Sequence, residues 1–147
     1  GLGDTDIVAS KCNPALLLDL LRDEKVLPAS VVLIHGGFPY TYEAGWLANV
    51  LPNVYFELSS GLPPYLEPAV SKRRYGEILR WVPHAKLLYG SDAAHYPENV
   101  WYHATVAKRA MAAALGELIE ERILTPGEAF AMGEDIFFNN AQRLFRL

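Results

Sequence analysis

The sequence predicts an α/β fold built on about three parallel strands with helices around them, and three observations predict it. Short apolar runs, each closed by Gly, Ser, His or Asp, alternate with longer helical stretches. In the first run, Val31 to Ile34, the apolar residues are continuous, as in a strand covered on both faces. The third observation is an imbalance, because only three strand-like runs accompany a larger number of helical stretches. A free three-stranded parallel sheet buries apolar surface poorly. The sheet is therefore expected to be completed by another chain or to belong to a larger barrel.

The elements follow in order. Asn13-Pro14 before Ala15 to Arg22 reads as a capped helix, with Asn13 at the N-cap and Pro14 in the first helical position. Pro28 and Ser30 break into the first strand, Val31-Val32-Leu33-Ile34, which stops at His35-Gly36-Gly37. Tyr42 to Leu51 has helical apolar spacing, and Pro52-Asn53 turns the chain. Val54 to Leu58 is the second strand and runs into a loop over Ser59 to Pro64. Val70 to Val82 is helical until Pro83-His84. Lys86 to Tyr89 is the third strand, ending at Gly90-Ser91-Asp92. A long amphipathic helix is expected from Glu98 to about Leu124. Thr125-Pro126-Gly127-Glu128 then supplies an N-cap, a first-turn Pro and a capping-box Glu. Asn139 to Phe145 closes the chain. No repeat, linker or low-complexity tract divides it, so residues 1–147 are expected to be one domain, or one piece of one.

Composition narrows the function classes. The chain has 147 residues, 51% hydrophobic and 20% charged, with a net charge of −4. That is enough for a core and too apolar for a disordered tail. No run approaches the ~20 apolar residues of a membrane span. The one basic cluster, Lys72-Arg73-Arg74, reads as a solvated helix face and argues against a nucleic-acid partner. A single cysteine, Cys12, excludes an internal disulfide and, with no signal peptide evident, points to a cytoplasmic setting. Cys12 could serve as a thiolate nucleophile, but nothing around it marks it as one. The chain opens Gly1-Leu2-Gly3-Asp4 without an initiator Met, as a segment cut from something longer would.

In parallel α/β folds the C-terminal strand ends build the active site. Here they deliver His35, then Glu57 and Ser59, then Asp92. A His and an Asp on separate strand ends suit metal ligation or general acid–base work. Structural alternatives stand beside each. His35 could cap the next helix, Asp92 could be the N-cap of the helix near Pro97, and Glu57 could be a paired strand residue. His84, His95 and His103 read as surface residues, although His95 lies close to Asp92 in sequence. Phe38, Tyr40 and Tyr96 are candidate pocket walls, and aromatic residues in such places also pack into cores. An esterase triad is not supported, because no Gly-x-Ser-x-Gly elbow is present. A flavodoxin-like binding domain lacks its phosphate loop after the first strand.

Taken together, these residues resemble a family. His35-Gly36-Gly37-Phe38-Pro39-Tyr40 with Glu43-Ala44-Gly45 is similar to the sixth-strand motif of the amidohydrolase-2 group of metal-dependent hydrolases. Asn53 to Ser59 resembles its seventh strand, and Leu88 to Ala93 with Pro97-Glu98 its eighth. Asn140 to Phe145 is similar to its closing helix, and Gly1 to Asp6 to the loop after its fifth strand. The variety is similar to the amidohydrolase domain fused to glutamine-synthetase-like proteins. The resemblance implies a TIM-type (β/α)8 barrel, of which this chain would supply the last strands and a helical C-terminus. It also implies one or two divalent metals, zinc first among them, and a small-molecule substrate. The reaction would be hydrolysis of a C–N or C–O bond, or non-oxidative decarboxylation in some relatives. By position, Asp92 would be a metal ligand and general base, and His35 a second-metal ligand or a polariser of the substrate carbonyl. Glu57 would be an acidic pocket residue. The family's His-x-His on strand one and its strand-five His have no counterpart. The alternative expectation is therefore a catalytically silent fragment that forms a homo-oligomer or pairs with a missing N-terminal half.

Overall fold

A computed structural model describes residues 8–59, 68–93 and 96–147. Asn13 acts as the N-cap that its residue type favours, its side chain accepting from the Ala15 N–H at 2.9 Å. The helix it starts is not uniform, however. Pro14–Leu17 is a 3-10 turn, and only Leu18–Arg22 (α1) is α-helical.

Three strands form one parallel sheet in the order β1 (Val31–Leu33), β2 (Val54–Glu57), β3 (Leu87–Leu88). Val31, Val32 and Leu33 pair with Val54, Tyr55 and Phe56, while Phe56 and Glu57 pair with Leu87 and Leu88. On β2 the period of two sorts the side chains. Val54 and Phe56 are fully buried in the core with the helices, and Tyr55 and Glu57 take the other face.

Helices α2 (Thr41–Val50), α3 (Pro68–Ile78) and α4 (Pro97–Glu120) supply the core side. Leu47, Ile78, Met111 and Leu118 are buried there around Phe56 and Leu87. α3 packs on α4, tied by Lys72–Glu117 at 2.6 Å, and just beyond their C-terminal ends Arg80 and Glu121 form a two-pronged pair at 2.7 and 2.8 Å. α5 (Pro126–Glu134) begins with the expected capping box, Thr125 and Glu128 satisfying each other's backbone. A π-turn at Asp135–Asn139 leads into α6 (Asn140–Phe145). Asn140 there donates both amide protons to β3 and its approach, reaching His84 O at 2.7 Å and Leu87 O at 2.8 Å.

Several expectations are corrected. The first strand is not covered on both faces: Val31 and Val32 are half-buried, and Ile34 is 58% exposed in the turn that follows. The apolar run of the first strand therefore outlasts its cover. The helix after β2 ends at Ile78, because Arg80, Trp81 and Val82 turn back on it with hydrogen bonds to Glu77 and Ile78. Arg74 does not belong to a solvated face. It is half-buried against Gly36 and Phe56, and burial holds its guanidinium below the ordinary range. His103 is likewise half-buried. The positions predicted for Gly1 to Asp6, for Ser60 to Pro64 and for His95 lie outside the described residues. No helix among the described residues is long and apolar enough to cross a membrane.

Candidate active site

The first strand ends in three consecutive left-handed residues, His35 (φ 62°), Gly36 (φ 56°) and Gly37 (φ 66°). Two glycines are what this turn requires. A Cβ on Gly36 would lie 3.1 Å from the Phe56 ring, and one on Gly37 would overlap Ala44. His35 carries a full side chain in that conformation, which costs about 1–3 kcal/mol. The third strand repeats the device, with Asp92 at φ 49°. Left-handed non-glycine residues concentrate at functional sites, and His and Asp tolerate the region better than most. Neither residue is a helix cap: α2 and α4 have Tyr40 and Tyr96 at their N-caps, without side-chain caps.

The two strand ends converge. His35 Nδ1 lies 3.7 Å from Asp92 Oδ2, with side-chain exposures of 23% and 40%. Behind His35 stands Glu57, buried at the end of β2. Its carboxylate accepts from His35 N–H at 3.1 Å, from Ser59 N–H at 2.8 Å and from the Ser59 hydroxyl at 2.5 Å. Ser59 Oγ is in turn 3.0 Å from His35 Nδ1. The carboxylate lies close against Gly90, where a Cβ would overlap one carboxylate oxygen and stand 2.9 Å from the carboxyl carbon. Gly90 is therefore small because Glu57 occupies the space, with no unusual φ involved.

Two tyrosines share the carboxylate's surroundings. Burial, then Tyr89 and Glu57, push the Tyr75 hydroxyl up to about 12 against the opposing influence of Arg74. Burial and Glu57 also raise Tyr89. His103 Nδ1 donates to Ser91 O at 2.7 Å, which fastens the segment leading to Asp92 onto α4.

The aromatic candidates lie elsewhere. Phe38 follows the left-handed turn and lines a cavity of about 210 Å³ with Tyr42, Arg74 and Trp81, which includes neither His35 nor Asp92. Tyr40 is half-buried at the start of α2, and Tyr96 is 68% exposed. Cys12 is half-buried and its thiol donates to Val8 O at 3.3 Å. Sequence reasoning underrated Ser59 and overlooked Gly90. The signal was present in the spacing, since Ser59 lies two residues past Glu57 and Gly90 two residues past Leu88, the register partner of Glu57.

A catalytic zinc takes about three protein ligands and leaves one position open. Among the described residues no three His, Cys, Asp or Glu side chains converge in a way that could hold a metal ion. His35 and Asp92 are chemically suitable donors, but by themselves they are an incomplete set.

Comparison with known proteins adds three findings. The amidohydrolase family matches residues 4–147. Protein fluG of Emericella nidulans is 35% identical over 147 residues, which is all of this chain and 17% of that protein. A crystal structure from Lactobacillus casei ATCC 334, assigned as a metal-dependent hydrolase, is 32% identical with a TM-score of 0.85. That match covers 99% of this chain and 37% of the other. The chain thus spans well under half the length of either relative.

Proposed function

The chain belongs to the amidohydrolase family, and we propose that it supplies part of the active site of a metal-dependent hydrolase. The enzyme would cleave a C–N or C–O bond of a small molecule by attack of water. The observation that carries this is the meeting of Asp92 and His35 from separate strand ends at 3.7 Å, each held in a left-handed backbone. Asp92 is exposed enough to meet water. It takes the proton from the attacking molecule and returns it to the leaving group, work that contributes about 10²–10⁴-fold.

The family and the name of the Lactobacillus relative point to a divalent metal, and zinc suits an imidazole–carboxylate pair. Such an ion supplies Lewis-acid activation of water and carbonyl when bound. The two donors fit a share of its shell, so its remaining ligands are assigned outside the described residues. A single thiol and no disulfide suit a cytoplasmic enzyme.

Asp92→Asn in the full-length protein tests the assignment. Turnover is expected to fall at least about 100-fold and bound metal to drop below stoichiometry. Full turnover with stoichiometric metal would overturn it. Release of CO2 in place of hydrolysis products would move the reaction to decarboxylation.

A second reading rests on the open edge of β1. Leu16 and Ile34, 67% and 58% exposed, line one cavity with Leu33 at its end, and among the described residues β1 pairs on one side only. We propose that this face is covered by a further β/α segment, from a second copy or from another part of the same protein. The 147-residue chain alone would then associate and be inactive. Light scattering showing a stable monomer in dilute solution would refute that.

A further inference from the structure

We propose that Glu57 and Ser59 are positioning residues that hold neutral His35 as the Nδ1–H tautomer, so that Nε2 presents a lone pair. The inference rests on His35 being a working residue of the hydrolase site, and it decides between the two roles open to that residue.

An ionised carboxylate only accepts hydrogen bonds. Glu57 Oε1 takes the Ser59 N–H, and its Oε2 takes the His35 N–H and lies 2.5 Å from Ser59 Oγ. The Ser59 hydroxyl proton must therefore point to Glu57. What Ser59 Oγ then offers His35 Nδ1, 3.0 Å away, is a lone pair, so the ring nitrogen has to supply the proton. The second group near Nδ1, Asp92 Oδ2 at 3.7 Å, is also an acceptor. Both neighbours demand the same tautomer. Glu57 and Ser59 are 9% and 4% exposed, so solvent does not compete for these bonds. Glu57 further pins the His35 backbone in its left-handed turn, so one carboxylate sets both the position of the ring and its proton.

The chemical consequence is specific. A neutral imidazole with Nδ1–H cannot donate from Nε2 to a carbonyl. It can ligate a cation or accept a proton there. Histidines that act as ligands or bases are commonly oriented in this way by a partner on the other nitrogen. The geometry thus favours ligand or base for His35 over polariser of the substrate.

The test is the ring ¹⁵N spectrum of the full-length, metal-stripped protein, selectively labelled at histidine and assigned with His35→Gln, at a pH where the ring is neutral. Nδ1 is expected in the protonated range and Nε2 in the unprotonated range. Ser59→Ala should pull both toward an averaged mixture, and Ser59→Thr, which keeps the hydroxyl, should restore the separation. A protonated Nε2 in the wild-type spectrum overturns the proposal, as does a Ser59→Ala spectrum that matches wild type. If Ser59→Ala does not fold, the wild-type spectrum decides alone. Activity of His35→Gln bears only on the hydrolase reading, so the failure of one is distinguishable from the failure of the other.

Discussion

Gly90→Ala is the smallest change that should disturb the site. The added Cβ would overlap an oxygen of Glu57 and approach its carboxyl carbon to 2.9 Å and Ser59 Cβ to 3.5 Å. The carboxylate has to move, and in moving it releases the N–H groups of His35 and Ser59. A buried donor left without a partner costs about 1–3 kcal/mol, and overpacking a tight site costs about the same again. Partial relaxation brings the expected loss to about 2–4 kcal/mol. Denaturant unfolding measures it, with an unchanged m-value showing that stability alone has altered. The decisive control is a double-mutant cycle with Glu57→Ala, where the added methyl meets no carboxylate. In that background Gly90→Ala should cost less than about 0.5 kcal/mol, giving a coupling of about 1.5 kcal/mol or more. Equal costs in both backgrounds would refute the claim that Gly90 is small for the sake of Glu57.

Two further outcomes are expected. Burial raises Tyr75 to about 12 when folded against 10.0 as its ordinary value, so between these pH values the unfolded state binds fewer protons than the folded one. Stability is then intact below pH 10 and falls by about 3 kcal/mol as pH rises through about 12, at ~1.36 kcal/mol per pH unit. Tyr75→Phe should flatten that decline, and parallel curves for the two proteins would show the assignment to be wrong. Thr125→Ala removes one half of the capping box and should cost about 1 kcal/mol by thermal or denaturant unfolding, while Thr125→Ser should cost little. An alanine variant as stable as wild type would count against the cap.

Much of this was legible in the sequence because local rules governed it. Asn13, Thr125 and Glu128 cap where their side chains can reach their own backbone, and strand and helix types followed from the apolar pattern. His35, Glu57 and Asp92 were singled out because they close strand-like runs. What escaped was non-local. The 3-10 start at Pro14 and the π-turn before Asn140 are settled by how the flanking segments pack. The exposure of Ile34 depends on what packs beside the end of β1, which its own apolar run does not carry. The roles of Ser59 and Gly90 needed the register of β2 against β3, which brings residues some thirty positions apart into contact. Arg74 looked like one of three surface cations until the turn at Gly36 placed it under that loop.

The clamp that Asn140 places on His84 and Leu87 has a consequence for how the protein is made. It joins residues 56 and 53 positions apart, and Tyr89 N–H likewise finds its partner at Ile136 O, 3.0 Å away. On a ribosome adding about 5–20 residues per second, the third strand exists for roughly 3–10 s before those partners are synthesised. His35, Glu57 and Ser59 can assemble during that interval from β1 and β2 alone. Asp92 follows β3, whose anchorage is complete only once Ile136 and Asn140 have been added, so the Asp92 half of the pair is the later one to be secured.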